Sequence, residues 1–143
     1  MEISENISPE LIAVYRDTQF HVTNSGKSFT LRIDKFSTEL DELLKKHNKH
    51  SSAYITACNP QSIQLTEEQI SKRHMELKKD LESYNCVIYE GFGEDPRGEW
   101  VSEKSYLALG ISEKDACKLE MKYRQNAIVC SKRDAIPRLV LLR

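Results

Sequence analysis

Apolar residues recur at helical spacing along much of the chain. The clearest pattern runs from Ile70 to Tyr84, where apolar residues separated by seven, four and three positions share one helical face. Thr66 and Gln69 precede it at the spacing of a capping box, which indicates a helix start. His74 falls on the same face, so we expect it to lie in or beside the core. The sequence therefore predicts a long amphipathic helix here.

Three further segments carry helix signals. They predict a short helix through Glu10–Tyr15 with Ser8 as its cap and Pro9 in its first turn, a helix from Ser37 to about Lys46, and a helix that begins at Ser112 and turns Ala116, Leu119 and Tyr123 inward. Apart from the short first one, about three helices should pack on the rest of the fold.

Apolar, β-rich runs lie between these helices. The predicted strands are Gln19–Val22, Ser28–Ile33, Ala53–Ala57, Cys86–Tyr89, Ser105–Leu109, Asn126–Cys130 and Leu139–Leu142. Residues 23–27 form a turn that joins the first two into an antiparallel hairpin. Strands that alternate with helices favour βαβ units and a partly parallel sheet. The prediction is an α/β protein on the border of α+β, with a mixed sheet.

Composition adds limits to this picture. The chain has 143 residues, which is the size of a single domain. Its net charge of −1 gives no long-range field for a general nucleic-acid binder. No apolar run is long enough for a membrane helix, and the acidic N-terminal residues do not resemble a secretory signal. We therefore expect a cytoplasmic protein with no membrane partner and no nucleic-acid partner.

The four cysteines lie far apart and form no C-x-x-C pair, so they do not predict a zinc site or a disulfide framework. No metal site is expected, and no motif indicates a cofactor, whose identity the sequence leaves unknown. Candidate chemistry is instead concentrated in three segments with unusual polar residues.

In the first segment, Ile55–Ser62, an apolar strand runs straight into small and polar residues. Thr56, Asn59 and Ser62 would place two hydroxyls and an amide at the carboxyl end of a strand, where ligands bind in open α/β sheets. The alternative is a turn that starts at Asn59 and is satisfied by Ser62, and composition alone favours this turn.

The second segment, Tyr89–Trp100, contains three glycines and a proline, which predict a loop without regular structure. It carries Glu94 and Asp95, which could bind a divalent cation or act as acid and base. The alternative is a solvated hairpin turn at Asp95–Gly98.

The third segment is Arg124–Ala127. Its residues Gln125 and Asn126 could contact a polar ligand or cap the end of a helix.

We expect these segments to converge on one polar cleft that binds a small polar ligand. Glu94, Asp95 and Glu103 are the candidate catalytic residues, and the candidate ligand-binding residues are Thr56, Asn59, Ser62, Trp100, Ser105, Gln125 and Asn126. With a carboxylate as base, the cleft would support hydrolysis or group transfer.

Two other interpretations stay open. In one, Trp100, Phe92 and Tyr89 anchor a protein partner and the protein is an interaction module without chemistry. In the other, the polar motif is a buried network that holds the loop on the sheet.

The three segments contain the motifs T-A-x-N-P-x-S at Thr56–Ser62, G-x-G-E-D-P-x-G-x-W-x-x-E-x-S at Gly91–Ser105 and aromatic-x-Q-N-A at Tyr123–Ala127. In these motifs the chain resembles a family of uncharacterised bacterial proteins, a domain of unknown function. The resemblance extends to Tyr15–Thr18 and Phe29–Ile33, and members often carry an aromatic residue at the position of Cys58. It implies no established activity.

Overall fold

The computed structural model describes residues 7–60 and 63–143, which form four helices and seven strands. The helices are α1 (Pro9–Asp17), α2 (Thr38–His47), α3 (Glu67–Glu82) and α4 (Glu113–Lys122). The strands are β1 (Gln19–Val22), β2 (Phe29–Leu31), β3 (Ser51–Thr56), β4 (Val87–Glu94), β5 (Glu103–Leu109), β6 (Ala127–Lys132) and β7 (Arg138–Leu141). The protein thus mixes helix and strand, as predicted.

Each helix begins at a residue whose side-chain oxygen accepts a backbone N–H of its first turn. These N-cap residues are Ser8, Ser37, Thr66 and Ser112. Thr66 and Gln69 form the full capping box, with both hydrogen bonds present. Local chemistry therefore sets the helix starts, because an N-cap satisfies donors that the helix itself leaves unpaired.

All seven strands belong to one sheet in the order β2-β1-β4-β5-β3-β6-β7, and every pairing is antiparallel. The predicted partly parallel sheet is wrong. α3 joins β3 to β4, which run in the same direction, but β5 lies between them; likewise β3 lies between β5 and β6. This connectivity from β3 to β6 is that of the split β-α-β, ferredoxin-like motif.

The two faces of the sheet carry separate cores, since successive side chains of a strand point to opposite faces. On the front face, Tyr54, Leu107, Leu109 and Val129 pack with residues of α2, which are Leu40, Leu43 and Leu44. On the back face, Ala53, Ile55, Tyr106, Ala108 and Ile128 pack with residues of α3 and α4, which are Leu77, Leu81, Ala116 and Leu119. No helix among the described residues is long and apolar enough to span a membrane.

The glycine-rich segment is strand and not loop at its start, because β4 continues to Glu94 between β1 and β5. Gly91 allows this close pairing. A Cβ at Gly91 would lie 2.1 Å from the carbonyl oxygen of His21 and 2.8 Å from the hydroxyl of Tyr54. Tyr54 Oη donates a hydrogen bond to that His21 oxygen at 2.6 Å. The absent side chain therefore lets a buried tyrosine cross β4 and bond to β1.

Candidate functional site

A cavity of about 160 Å³ lies on the front face, between the strand ends and α1. Its apolar lining comprises Leu11, Val14, Phe20, Val129 and Leu139, with Tyr54 beside them. Its polar lining lies at the end of the sheet where β3 finishes and β5 and β6 begin. The cavity thus has an apolar part along the strands and a polar part at their ends.

Eight of the ten candidate residues line this cavity. They are Thr56, Asn59, Asp95, Trp100, Glu103, Ser105, Gln125 and Asn126. Ser62 lies outside the described residues, and Glu94 does not line the cavity. The three distant segments therefore meet in one place. The role of each residue depends on its hydrogen bonds.

Strand register explains why these side chains meet. Thr56 of β3 lies opposite Ser105 of β5, and Glu103 of β5 lies opposite Gly93 of β4. All four residues alternate onto the front face together with Tyr54 and Leu107. Because Gly93 has no side chain, the neighbouring strand leaves space beside the Glu103 carboxyl.

The same alternation sends Glu94 to the back face, so its predicted convergence with the other carboxylates is wrong. Glu94 Oε1 lies 3.1 Å from His21 Nε2, and His21 Nδ1 lies 2.8 Å from Thr30 Oγ1. The side chain of Glu94 is 46% exposed. Glu94 therefore belongs to a surface chain of hydrogen bonds on the side of the sheet away from the cavity.

Asp95 anchors the turn that follows β4. Its Oδ1 accepts the backbone N–H of Arg97 at 3.0 Å, and its Oδ2 accepts that of Glu99 at 3.1 Å. Burial acts to raise the pKa of Asp95, but these hydrogen bonds and the Arg97 side chain outweigh it and lower the pKa below its usual value. With both oxygens engaged, Asp95 matches the hairpin-turn alternative, and Gly98 N donates to its carbonyl at 2.9 Å.

Glu103 is the carboxyl of the cavity whose pKa lies near neutral. Its Oε2 accepts a hydrogen bond from Asn59 Nδ2 at 3.1 Å. Burial raises the pKa of Glu103 to about 7, and the Asn59 hydrogen bond offsets this only in part. A carboxyl with this pKa is present in both protonated and ionised forms near neutral pH, as an acid or base catalyst requires.

Asn59 holds Glu103 in place and is itself held. Its backbone has φ 44°, a left-handed conformation that asparagine tolerates better than most residues. Its Oδ1 accepts the backbone N–H of Leu65 at 3.0 Å, which leaves Nδ2 to face Glu103. The turn predicted at Asn59 is therefore present, and its side chain also contacts the cavity's carboxyl.

Three polar side chains of the cavity lining donate hydrogen bonds to backbone carbonyls. They are Thr56, Ser105 and Gln125. Thr56 Oγ1 donates to the Lys104 carbonyl at 2.6 Å, and Ser105 Oγ donates to the Glu103 carbonyl at 3.0 Å. Gln125 Nε2 donates to the Cys58 carbonyl at 2.9 Å. These contacts fix the turn after β3 against β5 and the end of α4, which is the structural role proposed for such residues above.

A family model described as "Protein of unknown function (DUF3293)" matches residues 55–128, just over half of the chain. The chain belongs to the DUF3293 family. No curated protein and no solved structure matches it. The DUF3293 segment contains all eight of the candidate residues that line the cavity.

The sequence analysis missed one further residue of the DUF3293 segment, Glu120. It lies on α4 behind β3, is 0% exposed, and accepts the Thr56 backbone N–H through Oε2 at 3.4 Å. Its Oε1 is buried without a hydrogen-bond partner among the described residues. Burial raises the pKa of Glu120 well above its usual value. Its position was the available signal, because Glu120 lies four residues after Ala116 and three before Tyr123, on the inward face of α4.

The apolar wall was also missed, because Leu11 and Val14 belong to a short helix with no polar motif. The described residues include no group of three His, Cys, Asp or Glu side chains arranged to hold a metal ion. The cavity of this DUF3293 member thus offers one carboxyl with a pKa near neutral, a second carboxyl engaged by its own turn, several amides and hydroxyls, and an apolar wall.

Proposed function

We propose that the cavity is an active site for hydrolysis or group transfer on a small polar substrate, with Glu103 as the general base. The observation that supports this most is the state of Glu103, a carboxyl with a pKa of about 7 inside a cavity and fixed by Asn59. Groups with a pKa near the working pH transfer protons most effectively.

In this mechanism the ionised Glu103 removes a proton from water or from a nucleophilic group of the substrate. The proton moves to a carboxyl oxygen, and the protonated Glu103 can later return it to the leaving group. Asn59 keeps the carboxyl aimed into the cavity, since both ends of its amide are bonded. Trp100 forms part of the wall at the cavity mouth.

The test is a turnover screen with small p-nitrophenyl esters, p-nitroanilides and matched acyl acceptors, followed by absorbance. We expect turnover with a kcat/KM that rises with pH and levels off above about 7, since the base must be ionised. Glu103→Gln should lower kcat by about 10²- to 10⁴-fold, the usual contribution of a general base.

Glu99→Gln is the matched control, because Glu99 is an exposed carboxylate of the turn between β4 and β5 and does not line the cavity. It should leave turnover unchanged. Absence of turnover across the screen, or equal activity of the Glu103→Gln variant, would contradict the proposal.

The exposure of Trp100 and Val101, 46% and 63%, supports a second candidate, a protein-interaction surface. The predicted three-aromatic patch is not continuous. Phe92 alternates onto the back face beside His21, and Tyr89 Oη is bonded to His47 Nε2 at 2.8 Å. Val101→Ser would weaken a partner complex in cross-linking experiments, whereas Glu103→Gln would leave that complex unchanged and lower turnover.

A further inference from the structure

We infer that the cavity accepts an uncharged or cationic molecule with an apolar part about the size of one ring, and excludes anions. This inference rests on the proposed function, whose substrate class it specifies. It follows from the charge of the lining, from where the neighbouring cations point, and from the shape of the apolar wall.

The lining has negative charge and no positive charge. The chain contains 21 Lys and Arg residues, yet none of them and no His lines the cavity among the described residues. The residues outside the described part, 1–6 and 61–62, include no Lys, Arg or His in the sequence. The charged groups that line the cavity are Asp95 and Glu103. An anion would lose its hydration beside these carboxyls without a cation to compensate it.

The basic side chains near the cavity do not point into it. Lys104 lies between Glu103 and Ser105 on β5 and therefore points to the back face. Arg97 lies 3.5 Å from Asp95 Oδ1 and 3.9 Å from Asp17 Oδ2, on the turn and not in the lining. Arg73 donates to the carbonyls of Ala57 and Tyr123. The cavity is therefore not a site for phosphate or carboxylate groups.

The apolar wall requires a ligand with an apolar part. Leu11 and Val14 of α1 line the cavity together with Phe20, Val129 and Leu139 of the sheet. The cavity volume of about 160 Å³ is similar to that of protein cavities that bind benzene. A ligand that fills it therefore places one ring-sized group against this wall and a polar group near Glu103 and Asn59.

The test uses three probes of one shape and different charge: benzylamine, benzamide and benzoate. Trp100 is the only tryptophan of the chain and lines the cavity, so its fluorescence reports on this site. At pH 8, where Glu103 is ionised, we expect benzylamine and benzamide to give saturable changes and benzoate to give none. Glu103→Gln should weaken benzylamine about tenfold or more, because a close charge pair is lost, and should leave benzamide nearly unchanged.

A steric pair of variants checks the location without changing charge. Val14→Phe fills the cavity from α1 and should abolish benzamide binding, whereas Ala13→Phe, at an exposed position of the same helix, should not. Benzoate binding as tight as benzamide binding, or no binding by any of the three probes, would overturn the inference. Probe binding without turnover would refute the proposed reaction alone, and Glu103-dependent turnover with benzoate binding would refute this inference alone.

Discussion

Two glycines on β4 face the same side of the sheet and serve different purposes. At Gly91, any Cβ would collide with the backbone of β1 and with the Tyr54 hydroxyl. At Gly93, a Cβ would meet only Thr18 Cγ2 at 3.7 Å, an ordinary contact. The first glycine is therefore required for strand pairing, whereas the second leaves space in the cavity.

Gly91→Ala should destabilise the protein by about 2–3 kcal/mol or more, because the clash is with backbone that cannot move without breaking pairs in β1. Gly93→Ala should change stability by less than about 1 kcal/mol, since alanine costs less conformational entropy than glycine in a strand. Urea unfolding of both variants measures the difference. Equal losses of stability would show that the close approach at Gly91 is not a constraint.

Glu120 should respond to substitution in a pH-dependent way. Burial raises its pKa, so the unfolded chain ionises this group at lower pH than the folded protein, and stability falls as pH rises above about 4.5. Glu120→Gln keeps the shape without the charge and should stabilise the protein at pH 8 more than at pH 5. Glu120→Ala should cost about 2–4 kcal/mol at pH 5, since it leaves a void and removes the acceptor of the Thr56 N–H. The cost should be smaller at pH 8, where the wild-type protein is itself destabilised by the raised pKa of Glu120.

Denaturant unfolding at the two pH values is the measurement for these variants. A Glu120→Gln effect that is the same at pH 5 and pH 8 would mean that the buried carboxyl is not protonated in the fold.

For single residues, the sequence predicts which kinds of side chain belong to the site better than it predicts the face of the sheet on which each side chain lies. Glu94 and Glu103 were equivalent as candidate carboxylates, yet one lies on each face of the sheet. The difference depends on strand register, and register could not be assigned while the segment before Asp95 was expected to be a loop. Asp95 lines the cavity, but the hydrogen bonds that engage it come from its own turn.

Among the elements, helix starts were predictable because each is marked by a local N-cap. The direction of strand pairing was not. Strands that alternate with helices predict neighbouring parallel strands, because the helix returns the chain to the same end of the sheet. Here β5 lies between the strands joined by α3, and β3 lies between those joined by α4. The order of strands in a sheet depends on contacts between distant residues, and a single sequence does not display them.

α1 covers the apolar part of the cavity and contributes no fully buried residue to the core. Arg16 Nη1 lies 3.0 Å from Asp34 Oδ2, and Asp17 lies 3.9 Å from Arg97, so two surface ion pairs contribute to its attachment. Such pairs are typically worth less than about 1 kcal/mol each. We therefore expect this helix to be one of the less stable parts of the fold.

Hydrogen exchange should show the backbone amides of α1 exchanging faster than those of α3, which buries Leu77 and Leu81. Saturation with benzamide should slow exchange in α1 about tenfold or more, as expected if the ligand binds only when α1 is in place. α2 serves as the internal control and should be unaffected. Protection of α3 without protection of α1 would contradict this arrangement.

For the whole molecule, the partly buried Glu103 and the fully buried Glu120 should set the pH dependence of stability. The pKa of Glu103 lies at about 7 in the fold against an ordinary value of 4.5, and that of Glu120 is also raised. Both contributions reduce stability as pH rises above about 4.5, Glu103 by about 3 kcal/mol at most. Burial lowers the pKa of His74, which acts in the opposite sense below about 6.5.

We therefore expect the free energy of unfolding to be higher at pH 5.5 than at pH 8. The double variant Glu103→Gln with Glu120→Gln should lose most of this difference. Calorimetry at a series of pH values gives the profile. A wild-type protein that is more stable at pH 8 than at pH 5.5 would show that these carboxyls are ionised in the fold without cost.

The two parts of the cavity come from different stretches of the chain. Its carboxyls and amides all lie within 55–128, whereas Leu11, Val14, Phe20, Val129 and Leu139 lie before or after that stretch. The reactive groups thus lie in one stretch of the chain, whereas much of the apolar wall lies outside it. Exchanging only the first twenty residues, or the last strand, should change which molecules fit the cavity. The residues that transfer protons would remain the same.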